Sequence, residues 1–173
     1  MAKEALVVID MLRDFLEKGA PLEVPSARAI VPHLKKRIQE ARQRGAAIIY
    51  VCDAHRVDDE EFTKWPPHAL EGTKGAEVID EIKPHREDFL VHKRRYSTFF
   101  GTDLEPLLRE LKVRKIYIAG VLTNICVFFT AFEASMRNYE VVIWVDSVAA
   151  LSENDHQFAL DQMRRVLKVR IEE

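Results

Sequence analysis

The chain has 173 residues, 47% of them apolar, with 26 lysines and arginines against 28 acids. That length and apolar content suit one compact domain with a real core, over residues 1–173, while a net charge of −2 offers no basic field for phosphates and argues against a nucleic-acid binder. The first apolar run, Ala5 to Ile9, is stopped by Asp10 well short of a signal-peptide core or a membrane span, and the only two cysteines, Cys52 and Cys126, lie in contexts too different for a disulfide framework, so the expectation is a protein of the reducing cytoplasm with no membrane partner.

Taken in chain order, the elements alternate. A β-branched run predicts a strand over Leu6–Ile9. Pro32 to Arg44 follows with Leu34, Ile38 and Ala41 on one helical face and Gly45 at the stop. A second strand covers Ala47–Cys52, and then Asp53 to Gly75, a long polar stretch containing Trp65-Pro66-Pro67, breaks the rhythm. So long a loop inside a compact domain is as a rule functional. Further strands are predicted at Phe89–His92, Ile116–Ala119, Val141–Val145 and Val169–Ile171. Between them, Thr102 and Glu105 form a capping-box pattern that starts a helix to about Lys112, a third helix runs from near Asn124 to Asn138, and a fourth is capped by Ser152 and ends near Leu167. This order predicts a three-layer αβα fold, doubly wound around a mostly parallel sheet.

In such sheets ligands bind beyond the carboxyl ends of the strands. The residues there are Asp10, then Asp53 and His55, then Lys93, and after the fourth strand Gly120-Val121-Leu122-Thr123-Asn124 leading into Cys126. Cys126 falls in the first turn of a predicted helix, where unpaired N–H groups favour a thiolate; the aromatic residues Phe128, Phe129 and Phe132 allow the opposite reading of a buried small hydrophobe. Cys52 sits in an apolar strand and is assigned to packing. Asp10 reads as a base or as a turn residue. Lys93 opens the run His92-Lys93-Arg94-Arg95, ordinarily solvated surface, yet strand alternation turns only one of each adjacent pair toward a given face. The long loop offers Asp53-x-His55, Glu61 and His68, a mixed nitrogen and oxygen set suited to zinc, manganese or iron, although the acidic run Asp58 to Glu61 also reads as solvated loop. His33, His85, His92 and His156 read as surface or packing residues.

These motifs resemble the isochorismatase-like cysteine hydrolases, and within them the nicotinamidase/pyrazinamidase branch. The resemblance runs from Ala5-Leu6-Val7-Val8-Ile9-Asp10-Met11 with Asp14-Phe15, through Tyr96-Ser97-Thr98-Phe99 and Gly101-Thr102-Asp103-Leu104, to Gly120 through Val127 and the final helix. It implies a triad of Asp10, Lys93 and Cys126, and a divalent metal, zinc first, with manganese or iron as alternatives, held by Asp53, His55, Glu61 and His68. It also implies oxyanion donors at the Leu122 and Cys126 backbone, a cis peptide at Val121–Leu122, and apolar walls from Phe15, Trp65 and Tyr96. The implied reaction takes nicotinamide or pyrazinamide to the acid and ammonia through a Cys126 thioester, in a homo-oligomer acting on small amides. Asn124 departs from the branch, where an acid is common and related carbamoyl-amide hydrolases carry asparagine. An N-carbamoylsarcosine amidase-like enzyme therefore stays as the alternative, and a non-catalytic metal-binding domain as a third.

Overall fold

The computed structural model describes residues 3–173. Six parallel strands form one sheet: β1 (Lys3–Ile9), β2 (Ala47–Asp53), β3 (Phe89–Lys93), β4 (Val113–Val121), β5 (Glu140–Ala149) and β6 (Arg170–Glu172), in the order β3-β2-β1-β4-β5-β6. The predicted mostly parallel sheet is thus parallel throughout. β1 lies near its centre, and Ala5 to Ile9 are fully buried, as a strand covered on both faces requires of a continuous apolar run. Several strands extend beyond the apolar runs that predict them. Val113 to Lys115 join β4 because β1 already runs beside them at Lys3 and Glu4, so the ladder supplies partners that hydrophobicity does not mark.

α1 (Arg13–Leu16) is one turn, and α2 (Ala27–Gln43) covers one face of the sheet with Leu34, Ile38 and Ala41. α3 (Leu104–Glu110), α4 (Phe128–Met136) and α5 (Glu153–Arg165) cover the other, giving the three layers. α2 starts five residues before its predicted start at Pro32. The proline forgoes one hydrogen bond in the second turn, and burial of Ala27 and Ile30 offsets that loss. The predicted capping box does not close: Thr102 Oγ1 accepts from the Leu104 amide at 3.2 Å, but Glu105 turns outward to Arg109 at 2.6 Å and Arg137 at 2.8 Å. Ser152 does cap α5, accepting from the Asp155 amide at 3.2 Å. The helix predicted from Asn124 opens instead as a π-helical turn, Thr123–Val127, and only then becomes α4, which gives way to a left-handed Asn138.

Three details aim the strand ends at one place. The Val121–Leu122 peptide is cis. Gly120 takes φ of 113°, and a Cβ there would fall 2.0 Å from the Ile9 carbonyl oxygen, so only glycine lets β4 lie this close to the end of β1. The long loop after β2 is closed at its base, where the His55 amide donates to Ala69 O and the Glu71 amide to His55 O, both at 2.9 Å. Among the described residues, no helix is long and apolar enough to cross a membrane.

Candidate active site

Asp10 follows β1 in the left-handed region, φ 52°, which aspartate tolerates better than most residues. Its amide donates to Val51 O at 3.0 Å and its Oδ1 accepts from the Asp53 amide at 2.8 Å, so the two strand ends lock each other. Lys93, ending β3, is buried while His92, Arg94 and Arg95 stay exposed; alternation along the strand splits the basic run. Its ammonium stands 2.8 Å from Asp10 Oδ2, 2.6 Å from Asp53 Oδ1 and 3.4 Å from Cys126 Sγ.

Burial works against every charge here, and the partners decide the outcome. It pulls Lys93 down, but Asp10 and Asp53 outweigh it and hold the ammonium well above its usual range. Burial and the neighbouring Asp53 raise the Asp10 carboxyl to about 6 against the pull of Lys93. Asp53 is driven down despite its burial, by Lys93 and the two histidines. The Cys126 thiol is pushed well up by burial, only partly countered by Lys93, and the Asp10 carboxylate further favours the proton on sulfur. Of the two readings of Cys126, the protonated thiol is therefore the one favoured at rest. It is buried in the π-helical turn, and that burial outweighs the ammonium beside it. Asp10 Oδ2 is paired with the Lys93 ammonium at 2.8 Å and has no other polar side chain on it among the described residues.

Asp53, His55 and His68 come together, their ligand atoms all within 4.8 Å of one another and buried. His55 Nε2 lies 3.6 Å and His68 Nε2 3.7 Å from Asp53 Oδ2. Each ring is anchored through its other nitrogen, His55 Nδ1 at 3.1 Å from Asp59 Oδ2 and His68 Nδ1 at 2.8 Å from Pro66 O. That anchoring turns both Nε2 atoms inward, and His55 Nε2 is left buried without a hydrogen-bond partner. An orphaned imidazole nitrogen beside a second imidazole and a carboxylate is a donor set that fits a divalent metal. Glu61, the fourth expected ligand, stands outside this cluster: it is buried on a 3-10 turn, Glu60–Thr63, with Oε2 3.8 Å from Arg95.

Sequence reasoning missed Asp59, which caps that turn at the Glu61 amide (3.0 Å), orients His55 and pairs with Arg95 at 2.9 Å. Its four-residue spacing from His55 was the available signal, hidden in an acidic run. Asp14 is another: its Oδ2 accepts from the Ala69 amide at 2.8 Å, holding the residue after His68, and a Cβ on Gly75 would stand 2.3 Å from this carboxylate. Among the remaining histidines, His33, His85 and His92 are exposed, whereas half-buried His156 places Nδ1 2.9 Å from Thr123 Oγ1 in the turn that carries Cys126.

A cavity of about 180 Å³ opens over the thiol. Phe15, Trp65 and Tyr96 form part of its wall, with Trp65 Nε1 donating to the Tyr96 hydroxyl at 3.1 Å and Phe15 edge-on to His68 at 5.6 Å. Leu122 and Cys126 also line it. Asp10, Glu23, Asp53 and Glu61 are its acids, and among the described residues no lysine or arginine lines it.

An isochorismatase domain model matches residues 4–171. Among solved structures, the chain is similar to a nicotinamidase/pyrazinamidase of Bacillus subtilis, with TM-score 0.94 and 31% identity, covering 99% of this chain and 100% of that one. It is similar to an N-carbamoylsarcosine amidase of Thermoplasma acidophilum, with TM-score 0.90 and 36% identity over 98% and 95% of the two chains. A pyrazinamidase of Pyrococcus horikoshii in complex with zinc matches with TM-score 0.91 and 33% identity over 98% of each.

Proposed function

Since the chain belongs to the isochorismatase family, we propose that it is a cysteine amidohydrolase of the nicotinamidase type, converting nicotinamide and pyrazinamide to the carboxylic acid and ammonia. The observation that carries this reading is the lining of the cavity: a thiol and a carboxylate, then Asp53 and His68, aromatic walls, and no cationic side chain. N-carbamoylsarcosine bears a carboxylate, for which the cavity wall offers no lysine or arginine partner. Lys93 offers no remedy, since two carboxylates already hold it. Asn124, which in sequence pointed toward the carbamoyl-amide enzymes, does not line the cavity.

Asp10 Oδ2 takes the proton from Cys126, and the sulfur attacks the carboxamide carbon while the Lys93 ammonium, 3.4 Å from Sγ, stabilises the new thiolate. The backbone N–H groups of Leu122 and Cys126 receive the oxyanion. Protonated Asp10 returns its proton to the leaving nitrogen, releasing ammonia and leaving a thioester. Asp10, again a carboxylate, then activates the water that frees the acid and restores the thiol. Phe15, Trp65 and Tyr96 hold the ring between them. Asp53, His55 and His68, with Glu61 beside them, would hold a divalent ion, zinc by analogy with the Pyrococcus relative, and that ion supplies a Lewis-acid site for the ring nitrogen of the substrate.

Two measurements test this. The purified chain is expected to carry about one divalent ion, lost in His55→Ala and His68→Ala and kept in His85→Ala. Full occupancy in both of the first two variants, by elemental analysis, would remove the metal from the reading. Across a panel of amides, kcat/KM for nicotinamide should exceed that for benzamide by about a hundredfold, roughly 2.7 kcal/mol, because only the ring nitrogen differs. Benzamide turnover equal to nicotinamide, or N-carbamoylsarcosine turnover above both, contradicts the substrate assignment while leaving the cysteine chemistry intact.

A further inference from the structure

In the acidic run after β2, Asp58 and Glu60 are exposed, whereas the Asp59 side chain between them is 4% exposed. Its two oxygens are divided. Oδ1 accepts from the Glu61 amide at 3.0 Å and from Arg95 at 2.9 Å, and Oδ2 stands 3.1 Å from His55 Nδ1. An ionised carboxylate only accepts, and the Arg95 guanidinium favours that form, so the Nδ1 facing it carries the ring proton. With the ring neutral, His55 Nε2 is then a bare lone pair, buried without a hydrogen-bond partner and 3.6 Å from Asp53 Oδ2. His68 is held through a neutral carbonyl, Pro66 O, at 2.8 Å, so of the two imidazoles it is His55 whose Nδ1 is backed by a charge.

We propose that Asp59 is a positioning residue for a divalent cation: it holds His55 in the Nδ1–H form, so that the Nε2 lone pair joins Asp53 and His68, and it thereby sets how tightly the chain retains the ion. This role rests on the ion-binding reading of Asp53, His55 and His68, and it falls to a residue outside the four expected ligands. Without Asp59, the Asp53 carboxylate 3.6 Å away draws the ring proton to Nε2, and a protonated Nε2 cannot ligate. Removing a partner of this kind typically costs about 10- to 100-fold in metal affinity. Arg95 sits on the other oxygen, so it neutralises the carboxylate without touching the contact to the ring.

Two variants separate the contact with His55 from the other contacts of Asp59. Asp59→Ser keeps a hydroxyl that caps the Glu61 turn but offers the ring no carboxylate. Arg95→Met removes the ion pair and leaves the ring contact in place. Zinc affinity of the full chain, measured by competition with a zinc-binding dye, should fall about 10- to 100-fold in Asp59→Ser and stay within a few-fold in Arg95→Met. The ring proton is read directly from the nitrogen NMR shifts of His55, in metal-free protein at a pH where the ring is neutral: on Nδ1 in the wild type, and largely on Nε2 in Asp59→Ser. Unchanged zinc affinity in Asp59→Ser, an equal loss in Arg95→Met, or a wild-type proton on Nε2 each overturns the proposal while leaving the metal reading standing. A wild type that binds no zinc overturns the metal reading, and this role with it.

Discussion

Cys126→Ala should reduce amide hydrolysis to background, while Cys52→Ala keeps the rate within a few-fold. Both thiols are buried and both are pushed up by burial, so burial itself does not separate them. What separates them is the Lys93 ammonium 3.4 Å from one sulfur and the cavity that only Cys126 shares with Asp10. Asp10→Asn should cost about 10² to 10⁴ in kcat/KM, the usual loss of a positioned base, because the amide cannot take the proton. The pH dependence follows from the same group. Asp10 acts as a base only when ionised, and its carboxyl is raised to about 6, so kcat/KM should fall about tenfold per pH unit below that value, rather than near 3.8 where an ordinary aspartate titrates. Equal losses in the two cysteine variants, or an acid limb unchanged by Asp10→Asn, would remove these roles.

Lys93→Met should be the most destabilising single substitution at the site. It removes the one cation between two buried carboxylates, whose contacts are 2.8 Å to Asp10 and 2.6 Å to Asp53, and breaking a buried pair in this way typically costs about 3–5 kcal/mol. The sign with pH is specific. Without the lysine, both carboxyls are raised in the folded state relative to the unfolded one, so folding takes up protons. The gap between variant and wild type in urea unfolding should therefore be widest near pH 8 and narrow toward pH 5. Adding Asp10→Asn to Lys93→Met should recover part of the loss, because one of the stranded charges is gone. A constant gap across that range would mean that packing, and not charge, accounts for the lysine.

The central sheet and its layers were legible because β1, β2 and β4 are apolar on both faces and write themselves as runs of Val, Ile and Leu. Strand flanks were not, since Val113 to Lys115 pair through backbone groups that carry no side-chain signal. At the site, Asp10, Lys93, Asp53 and Cys126 were findable as residues at strand ends. Their wiring was not. Asp53 reaches Lys93 with one oxygen and faces both imidazoles with the other, a consequence of the β2–β3 register that sets Asp53 opposite Lys93. Glu61 lines the same cavity as Asp53 and His68 but sits outside their tight cluster, on a turn that Asp59 caps, and no spacing rule reports which way a short 3-10 turn faces. Whether Cys126 rests as thiolate or thiol stayed open in the sequence for a related reason. Helix position is visible in a sequence, whereas the degree of desolvation is not.

The pair of hydrogen bonds at the base of the loop makes residues 56–68 a closed purse with a fixed neck. Once the neck is tied, the chain between its ends answers to a weak law: doubling the length of such a span costs only about 0.6 kcal/mol of closure entropy. The tip at Val57 and Asp58 faces solvent, ahead of Asp59 and Glu61 and on the far side of the neck from Asp53. Residues can be gained or lost there over evolutionary time while the Asp14 tether keeps the segment after His68 in place. The loop that carries the imidazoles thereby has an exposed tip where residues can be added without rebuilding the sheet below it, provided Asp59 still reaches His55.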